Sequence, residues 1–367
     1  MDSVWLNAAF YQASRVVGNT GKNPPVGCII VKNNQVIGIG HTSLNGRPHA
    51  EENALKMAGN DALGSTMYIS LEPCCLDDNL NSCTNQIVKS GVKKVVIGML
   101  DYNKLTLKKG FRRLIKSGVE TKLLPLDFEN FLFNYSQYAY HVLKRPQITV
   151  KLATSADSKI TYSNGSSKWI TSKLARKHVH QVRSNYDAIL VGKNTFMQDD
   201  PSLTVRIEGY KKSINRVLLD TSLSLKINSK LLKTLKYNPL IIFTKKKLKS
   251  KQSEYLISKG VKIYQVKTLS NGLLCISSVI KILHRLKIRN VLVEGGAITA
   301  SSFLNSECCD FMYIYKSKTF IGNEGLHAFG KLNEQKKFSL YNELCLKDNK
   351  LEIWINNKIN KIYKKLV

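Results

Sequence analysis

The chain has 367 residues, with 56 Lys and Arg against 26 Asp and Glu, a formal charge of +30. Its hydrophobic content of 43% is that of an ordinary soluble protein, and its length suits two domains, each large enough to bury its own core. No apolar stretch reaches a membrane span of ~20 residues, and eight cysteines in a chain this long do not make a disulfide framework.

Met1-Asp2-Ser3-Val4-Trp5 shows neither a basic n-region nor an apolar h-region, so no signal peptide and a cytoplasmic location are expected. Residues 4–17 read as an amphipathic helix through Trp5, Ala8, Ala9, Gln12 and Val16. Val26–Val31 and Gln35–Ile39 bracket Lys32-Asn33-Asn34, a hairpin signal. Cys28, inside the apolar run, reads as a core residue. Pro48 is expected to open a helix running to about Ala58, with His49 and Glu51 in its first turn. A strand at Thr66–Ser70, a helix at 85–90, a strand at Lys94–Gly98 and a helix at 108–117 complete a first α/β layered domain. The segment from His141 to Gln147, with Arg145-Pro146, reads as the boundary, giving domains of 1–144 and 145–367.

The second half repeats the alternation. Strands are expected at Ile148–Ala153, Ala188–Gly192, Arg216–Asp220, Leu240–Thr244, Val261–Gln265 and Asn290–Glu294. Ser172–Arg183 reads as a helix with Leu174, His178 and Val182 on one face, His178 being simply a member of that face. Lysines are spread through 226–267 among Asn and Ile. That spread favours solvated faces and a genomic base-composition bias over attraction of phosphorylated substrates, and either over nucleic-acid binding. Nucleic acid is therefore not expected as a partner.

The chemistry concentrates in an ordered set. Pro48-His49-Ala50-Glu51, then Pro73-Cys74, then Cys83 offer one imidazole and two thiolates to a metal, and one carboxylate that need not be a ligand. Zinc held by three protein ligands keeps a fourth position for water and lowers its pKa toward neutrality. A nearby Glu then carries protons. His/Cys/Cys with a Glu is the signature of zinc deaminases. A structural zinc would show a fourth Cys or His at close spacing, and Cys75 beside Cys74 is poorly placed to be one. In the second half, Val291-Leu292-Val293-Glu294-Gly295-Gly296 before Ala297–Leu304 is strand, glycine turn, helix, and reads equally as a phosphate cradle or a tight turn. Asp199-Asp200-Pro201, then Arg206, places two acids and a base near the end of one βα unit. Asp200-Pro201 also fits a helix stop, and Arg206 fits either a phosphate ligand or an exposed side chain.

These motifs resemble the bifunctional riboflavin-biosynthesis deaminase–reductase family over nearly the whole chain. They are Asn23-Pro24-Pro25-Val26-Gly27-Cys28, Pro48-His49-Ala50-Glu51, Leu71-Glu72-Pro73-Cys74 with Cys83, Lys151-Leu152-Ala153, and Ser167-Lys168-Trp169-Ile170-Thr171. Arg183-Ser184, Asp187 to Gly192, Thr195, Asp199 to Arg206 and Val293-Glu294-Gly295-Gly296 continue the match. The resemblance implies an α/β chain: a cytidine-deaminase-like three-layer α/β/α domain followed by a dihydrofolate-reductase-like α/β domain. It implies deamination of 2,5-diamino-6-(5-phosphoribosylamino)pyrimidin-4-one, then NADPH-dependent reduction of the ribose to the ribityl chain. By the same resemblance His49, Cys74 and Cys83 hold Zn2+, and Glu51 shuttles protons. Ala153, Trp169, Thr195, Asp199 and the stretch from Gly296 surround NADPH. Asn23, Ser167, Arg183, Leu203, Arg206 and Glu294 contact substrate. Lys151 lies near the reacting sugar, with Asp199 and Glu294 beside it as catalytic candidates. A homo-oligomer acting on small phosphoribosylaminopyrimidines is expected.

The chain departs from the family pattern at named places. Cys75-Leu76-Asp77-Asp78-Asn79-Leu80-Asn81-Ser82 stands where the family carries basic residues, Thr42 where it carries His, and Asp101-Tyr102-Asn103-Lys104 where it carries Asp-Pro-Asn-Pro. In the second half Ser158 replaces a usual glycine, and Phe311 and Lys316-Ser317 replace a late Glu and Ala-Pro. Two further readings follow from the departures and the charge: a reductase whose zinc-binding first domain is inactive, and a basic RNA-binding deaminase-like module.

Overall fold

The computed structural model describes residues 1–75, 82–162, 170–210 and 212–367. The chain divides into two compact units, Met1–Leu143 with Leu366–Val367, and Lys144–Lys365. Among the described residues no helix is long and apolar enough to cross a membrane.

The first unit is built on a five-stranded sheet in the order β2-β1-β3-β4-β5: β1 Gly27–Lys32, β2 Gln35–His41, β3 Thr66–Ile69, β4 Lys94–Ile97 and β5 Glu120–Leu123. β1 pairs antiparallel with β2 and β3, while β3, β4 and β5 run parallel. Asn33 and Asn34 both take positive φ, the geometry a two-residue hairpin turn requires and one that Asn tolerates. The period of two along the strands sorts the core into two layers. Ile29, Val31, Tyr68 and Val96 face α1 (Asp2–Ser14) through Leu6, Ala9 and Phe10. Cys28, Ile30, Met67, Ile69, Val95 and Ile97 face Ala50, Ala54 and Ala58 of α2 (Ala50–Ala58), Ile87 of α3 (Cys83–Lys89) and Leu114 of α4 (Lys109–Lys116). Helices on both faces make the three layers. Pro48 does not open α2; it precedes His49, which is the N-cap. β5, α5 (Phe128–Phe133) and α6 (Tyr135–His141) go beyond the elements expected from sequence.

The second unit carries a nine-stranded sheet in the order β10-β9-β8-β7-β11-β6-β12-β14-β13. Its elements run β6 Gln147–Thr154, α7 Lys173–Ser184, β7 Ala188–Gly192, α8 Lys193–Asp199, β8 Asn215–Leu219, α9 Lys230–Lys233, β9 Leu240–Thr244 and α10 Lys251–Ser258. They continue with β10 Lys262–Gln265, α11 Ile276–Arg285, β11 Asn290–Val293, α12 Ala297–Asn305, β12 Phe311–Ser317, β13 Phe338–Leu346, β14 Asn349–Asn356 and α13 Asn357–Leu366. Seven strands from β10 to β12 are parallel, and β14 and β13 add antiparallel. After β7 the chain builds outward to β10, then returns to insert β11 between β7 and β6. Such a reversal opens a crevice at the carboxyl ends of the strands, where open α/β sheets bind ligands.

Polar anchors fix the start of this unit. Arg145 forms a two-pronged pair with Asp310 at 2.6 and 2.7 Å, and Asp310 also accepts the Ile148 amide at 2.8 Å. On α7 the buried stripe is Ala175, Val179 and Val182, not Leu174, His178 and Val182: Leu174 faces outward, and His178 is half-buried. α8 stops at Asp199, and Asp200 takes a left-handed φ of 38°, so Asp200-Pro201 is the helix stop that its chemistry suggests.

Two glycines let helices lie directly on the first sheet. A Cβ on Gly40 would sit 2.0 Å from the Ala50 carbonyl oxygen, and one on Gly27 would sit 1.9 Å from that of Ala9. Gly40→Ala must push the start of α2 off β2. Overpacking of this kind costs about 1–3 kcal/mol, and the melting temperature should fall by roughly 5–10 °C. Because His49 caps α2, metal content should fall with it. Calorimetry and metal analysis of the variant check this; an unchanged melt would show that α2 is not seated as described.

Candidate active sites

His49, Cys74 and Cys83 come together in the first unit, with their ligand atoms all within 4.8 Å of one another. Three local elements deliver them: His49 is the N-cap of α2, Cys74 follows β3, and Cys83 is the first residue of α3, whose N-cap Ser82 accepts the Asn85 amide. The sulfurs of Cys74 and Cys83 lie 3.3 Å apart, and His49 Nδ1 is 3.2 Å from Cys83 Sγ. A tetrahedral zinc with bonds of ~2.0–2.3 Å spaces such ligand atoms about 3.5–3.8 Å apart, a few tenths of an ångström more than the two distances to Cys83 Sγ. Among the described residues no fourth ligand joins the three. One His and two Cys therefore fit a metal that keeps a position open.

The electrostatics agree with that donor set. The Cys83 thiol donates toward Cys74 and holds it well below the usual thiol range, at about 4, with His49 adding to the effect against burial. The same contact, with burial, keeps the proton on Cys83, and His49 is drawn up chiefly by its hydrogen bond to Cys74. Glu51, in the first turn of α2, is almost wholly buried, and burial pushes its carboxyl up to about 7.

Neighbouring residues divide into those that touch the triad and those that build its walls. Asn23 Nδ2 lies 3.4 Å from His49 Nε2 and donates to the Gly46 carbonyl at 2.8 Å. Thr42 is structural: its hydroxyl accepts the Val26 amide at 3.0 Å and donates to the Pro24 carbonyl at 3.2 Å. Glu72, not singled out by sequence, accepts the amides of Asp101, Lys108 and Phe111 at 3.0–3.1 Å and so ties the 101–111 segment to the Cys74 turn. The departures at Leu76 to Asn81 lie outside the described residues, as do Ser167 and Trp169.

In the second unit Lys151 of β6, Glu294 at the end of β11 and Arg183 of α7 come together. Glu294 follows β11; its Oε1 accepts Arg183 Nε at 2.6 Å, and its Oε2 accepts Arg183 NH2 at 3.0 Å. Lys151 Nζ, from β6, is 3.5 Å from the same Oε2 and 5.8 Å over the Tyr315 ring. Burial alone would raise the Glu294 carboxyl, but Arg183 and Lys151 hold it down at about 2. Arg183 also donates to the Thr204 carbonyl at 2.9 Å, so the structure commits it to Glu294 and Thr204. Tyr315 and His178, which sequence reasoning did not join, meet at 2.8 Å between hydroxyl and Nδ1. They stand 137 positions apart, and no local pattern signals the pair.

The glycine turn resolves into two roles. A Cβ on Gly295 would strike Thr299 Cβ at 2.4 Å, and one on Gly192 would strike Thr299 Oγ1 at 2.3 Å, so both permit tight packing against α12. A Cβ on Gly296 would meet nothing nearer than 3.8 Å, which leaves its face open beside the amino end of α12. Thr195 Oγ1 accepts the Gly296 amide at 3.2 Å. An open glycine followed by unpaired helix amides suits a dinucleotide phosphate. Ala153 lies on β6 against Tyr315, Ala175 and Val179. Asp199 ends α8, half-buried. The Leu203 side chain is buried in the apolar core with φ of 50°, so only its backbone can face a ligand, whereas Arg206 is exposed.

Glu294 carries a pH signature. Its folded pKa is depressed from about 4.5 to about 2, so the ion pairs contribute above pH 4.5 and are lost as pH falls toward 2. The contribution is roughly 3 kcal/mol. The stability gap between wild type and Glu294→Gln should therefore shrink across that window, since a protonated Glu resembles Gln. Denaturant unfolding at a series of pH values measures it, and a constant gap contradicts the pairing.

With both sites described, comparison with known proteins is direct. Residues 1–99 match the family model for the cytidine and deoxycytidylate deaminase zinc-binding region, and residues 146–355 match that for the RibD C-terminal domain. The chain is 37% identical over 326 residues to riboflavin biosynthesis protein RibD of Aquifex aeolicus, covering 89% of each. It is 36% identical over 322 residues to that of Bacillus amyloliquefaciens, covering 88% of this chain and 86% of the relative. Among solved structures, Acinetobacter baumannii RibD matches with a TM-score of 0.86 at 30% identity, over 97% of this chain and 98% of the other. The diaminohydroxyphosphoribosylaminopyrimidine deaminase/5-amino-6-(5-phosphoribosylamino)uracil reductase of Thermotoga maritima matches with 0.84 at 29% identity and the same coverage. A zinc-binding deaminase region and a reductase domain thus follow one another on a single polypeptide, and the chain belongs to the RibD family of bifunctional, NADPH-dependent deaminase–reductases of riboflavin biosynthesis.

Proposed function

We propose that His49, Cys74 and Cys83 hold the catalytic zinc and that Glu51 is the proton carrier of the deaminase, with Asn23 at the edge of the substrate pocket. The observation that carries this reading is the convergence of one imidazole and two thiols within 4.8 Å beside a buried carboxyl. Zinc bound there supplies hydroxide near neutral pH. Glu51 then passes on the two protons of the attacking water one after the other: the first goes to the ring nitrogen as the C2–O bond forms, and the second goes to the 2-amino group, which leaves 2,5-diamino-6-(5-phosphoribosylamino)pyrimidin-4-one as ammonia while C2 becomes a carbonyl.

In the second unit the deaminated product would lie along the crevice beside Lys151, with Glu294 and Arg183 ordering that lysine and Arg206 meeting the 5′-phosphate. Arg206 suits that role because it is exposed and its fork matches a phosphate. NADPH, along Thr195, Gly296 and Ala153 with Asp199 close by, supplies the hydride that opens the ribose to the ribityl chain. Lys151 Nζ is the cationic donor available to the sugar oxygen. A homo-oligomer in the cytoplasm completes the reading; all eight cysteines stand unpaired, as a reducing compartment requires.

Two variants separate ligation from proton transfer. Cys83→Ser should lose zinc, and a full complement of tightly held metal in that variant would reject the ligand assignment. Glu51→Gln should keep zinc while ammonia release falls by roughly 10²-fold or more, with reduction of the deaminated substrate untouched. Undiminished ammonia release from Glu51→Gln would exclude this residue as the carrier.

A further inference from the structure

We propose that His180 is a positioning residue for Arg206: it fixes the guanidinium so that the two terminal amino groups face a substrate anion. This rests on the reading of Arg206 as the phosphate ligand of the reductase. His180 lies on α7, three residues before Arg183, and its side chain is buried. Its Nδ1 is 3.1 Å from the Arg206 amide nitrogen, and its Nε2 is 3.1 Å from Arg206 Nε. The ring also meets the Thr204 carbonyl, the acceptor that Arg183 reaches at 2.9 Å. A neutral imidazole has one donor and one acceptor nitrogen, so only one of the two Arg206 N–H groups facing the ring is accepted at a time; in the tautomer proposed, Nε2 accepts Arg206 Nε–H and Nδ1 carries the proton. Burial, with Arg183 and Arg206 alongside, holds the ring neutral by lowering its pKa to about 4. A charged ring could not receive a guanidinium.

The segment that carries Arg206 is tied down at its start, where the Asp200 carboxylate accepts the Lys230 amide at 3.1 Å and the Ser202 carbonyl accepts Arg216 NH1 at 3.4 Å. Asp200 and Leu203 take left-handed φ of 38° and 50°, conformations that cost a residue with a Cβ roughly 1–2 kcal/mol each and persist only where surroundings enforce them. Leu203 anchors the middle of the segment in the core, and α7 holds its end through Arg183 on the Thr204 carbonyl and His180 on Arg206 Nε. An exposed arginine samples many rotamers, and a bound anion must freeze them. With Nε already on His180, part of that ordering is done before the substrate arrives, and among the described residues the end of the fork stays open for two parallel bonds.

The test compares wild type, Arg206→Ala, His180→Ala, His180→Phe and His180→Gln in NADPH oxidation, using 5-amino-6-(5-phosphoribosylamino)uracil and its dephosphorylated counterpart. Phe fills the space without an acceptor and decides the matter if Ala perturbs folding; Gln keeps one acceptor and one donor. Arg206→Ala should lose most discrimination between the two substrates. His180→Ala and His180→Phe should raise KM for the phosphorylated substrate by roughly 3- to 10-fold, with kcat and the KM for NADPH changing less, and Gln should restore most of the loss. Wild-type discrimination in both the Ala and Phe variants, with discrimination lost in Arg206→Ala, would overturn the role of His180 and leave Arg206 standing. Full discrimination in Arg206→Ala would overturn the phosphate reading itself, and the inference with it.

Discussion

A carboxyl group taken out of water must find cations or keep its proton, and the two units of this chain meet that constraint in opposite ways. Glu294 is buried with Arg183 and Lys151 on its two oxygens and stays ionised down to about pH 2. Glu51 is equally buried but lies among thiols and an imidazole, and its carboxyl titrates near 7. The first arrangement suits a fixed negative charge that orients a lysine. The second suits a group that gains and loses a proton at cellular pH. On the proposed assignment, one polypeptide carries a hydrolytic site and a reductive site whose acidic residues differ in protonation according to what each is buried against.

The scaffolds deliver these residues by backbone geometry more than by side-chain bulk. In the first unit α2 and α3 begin at the metal triad, so the positive ends of both helices favour thiolates and a metal-bound anion. That placement depends on α2 lying against Gly40 with no Cβ between them. In the second unit the return of β11 between β7 and β6 brings Glu294 and Lys151 together in the middle of the sheet, beside the β7–α8 junction at Gly192–Thr195. Glu294 and Gly296 are two residues apart, so the carboxylate paired with Lys151 and the glycine whose face is open are fixed by the same turn.

Much of this was legible in the residue order. The Asn33-Asn34 turn, the apolar strands β7 and β9, and the His-Cys-Cys set with its Glu each carry a local signal: positive-φ tolerance, a short apolar run, and ligand chemistry at a fixed spacing. Lys151 was reached through resemblance, since a lone Lys at the middle of a strand says nothing by itself, whereas Arg206 and the turn at Glu294–Gly296 were read from the residues with two meanings left open, and the resemblance chose between them. Other features lay beyond any local pattern. β5 is mostly exposed and lacks an apolar alternation, and β12 and β14 pair across a connection that contains all of β13. The face of α7 was misjudged by one position because Leu174 looks outward while Ala175 packs. Glu72, His180 and Tyr315 act through partners 26 to 137 positions away, and Arg183 through one 111 positions away. Polar pairs at that separation leave no periodicity to read.

The claim that both sites work in sequence on one substrate is tested most directly by giving the purified protein the diamino precursor alone, with and without NADPH, and following ammonia and NADPH together. Ammonia should appear in both cases. NADPH should be oxidised only after a lag, one per ammonia released, and more slowly than when the deaminated pyrimidine is supplied, because residues 75–82 have no basic side chain where the family carries basic residues. NADPH oxidation on the deaminated compound with no ammonia from the precursor would contradict the account and leave a reductase joined to an inert zinc domain. Ammonia release with no NADPH oxidation on either compound would contradict it from the other side.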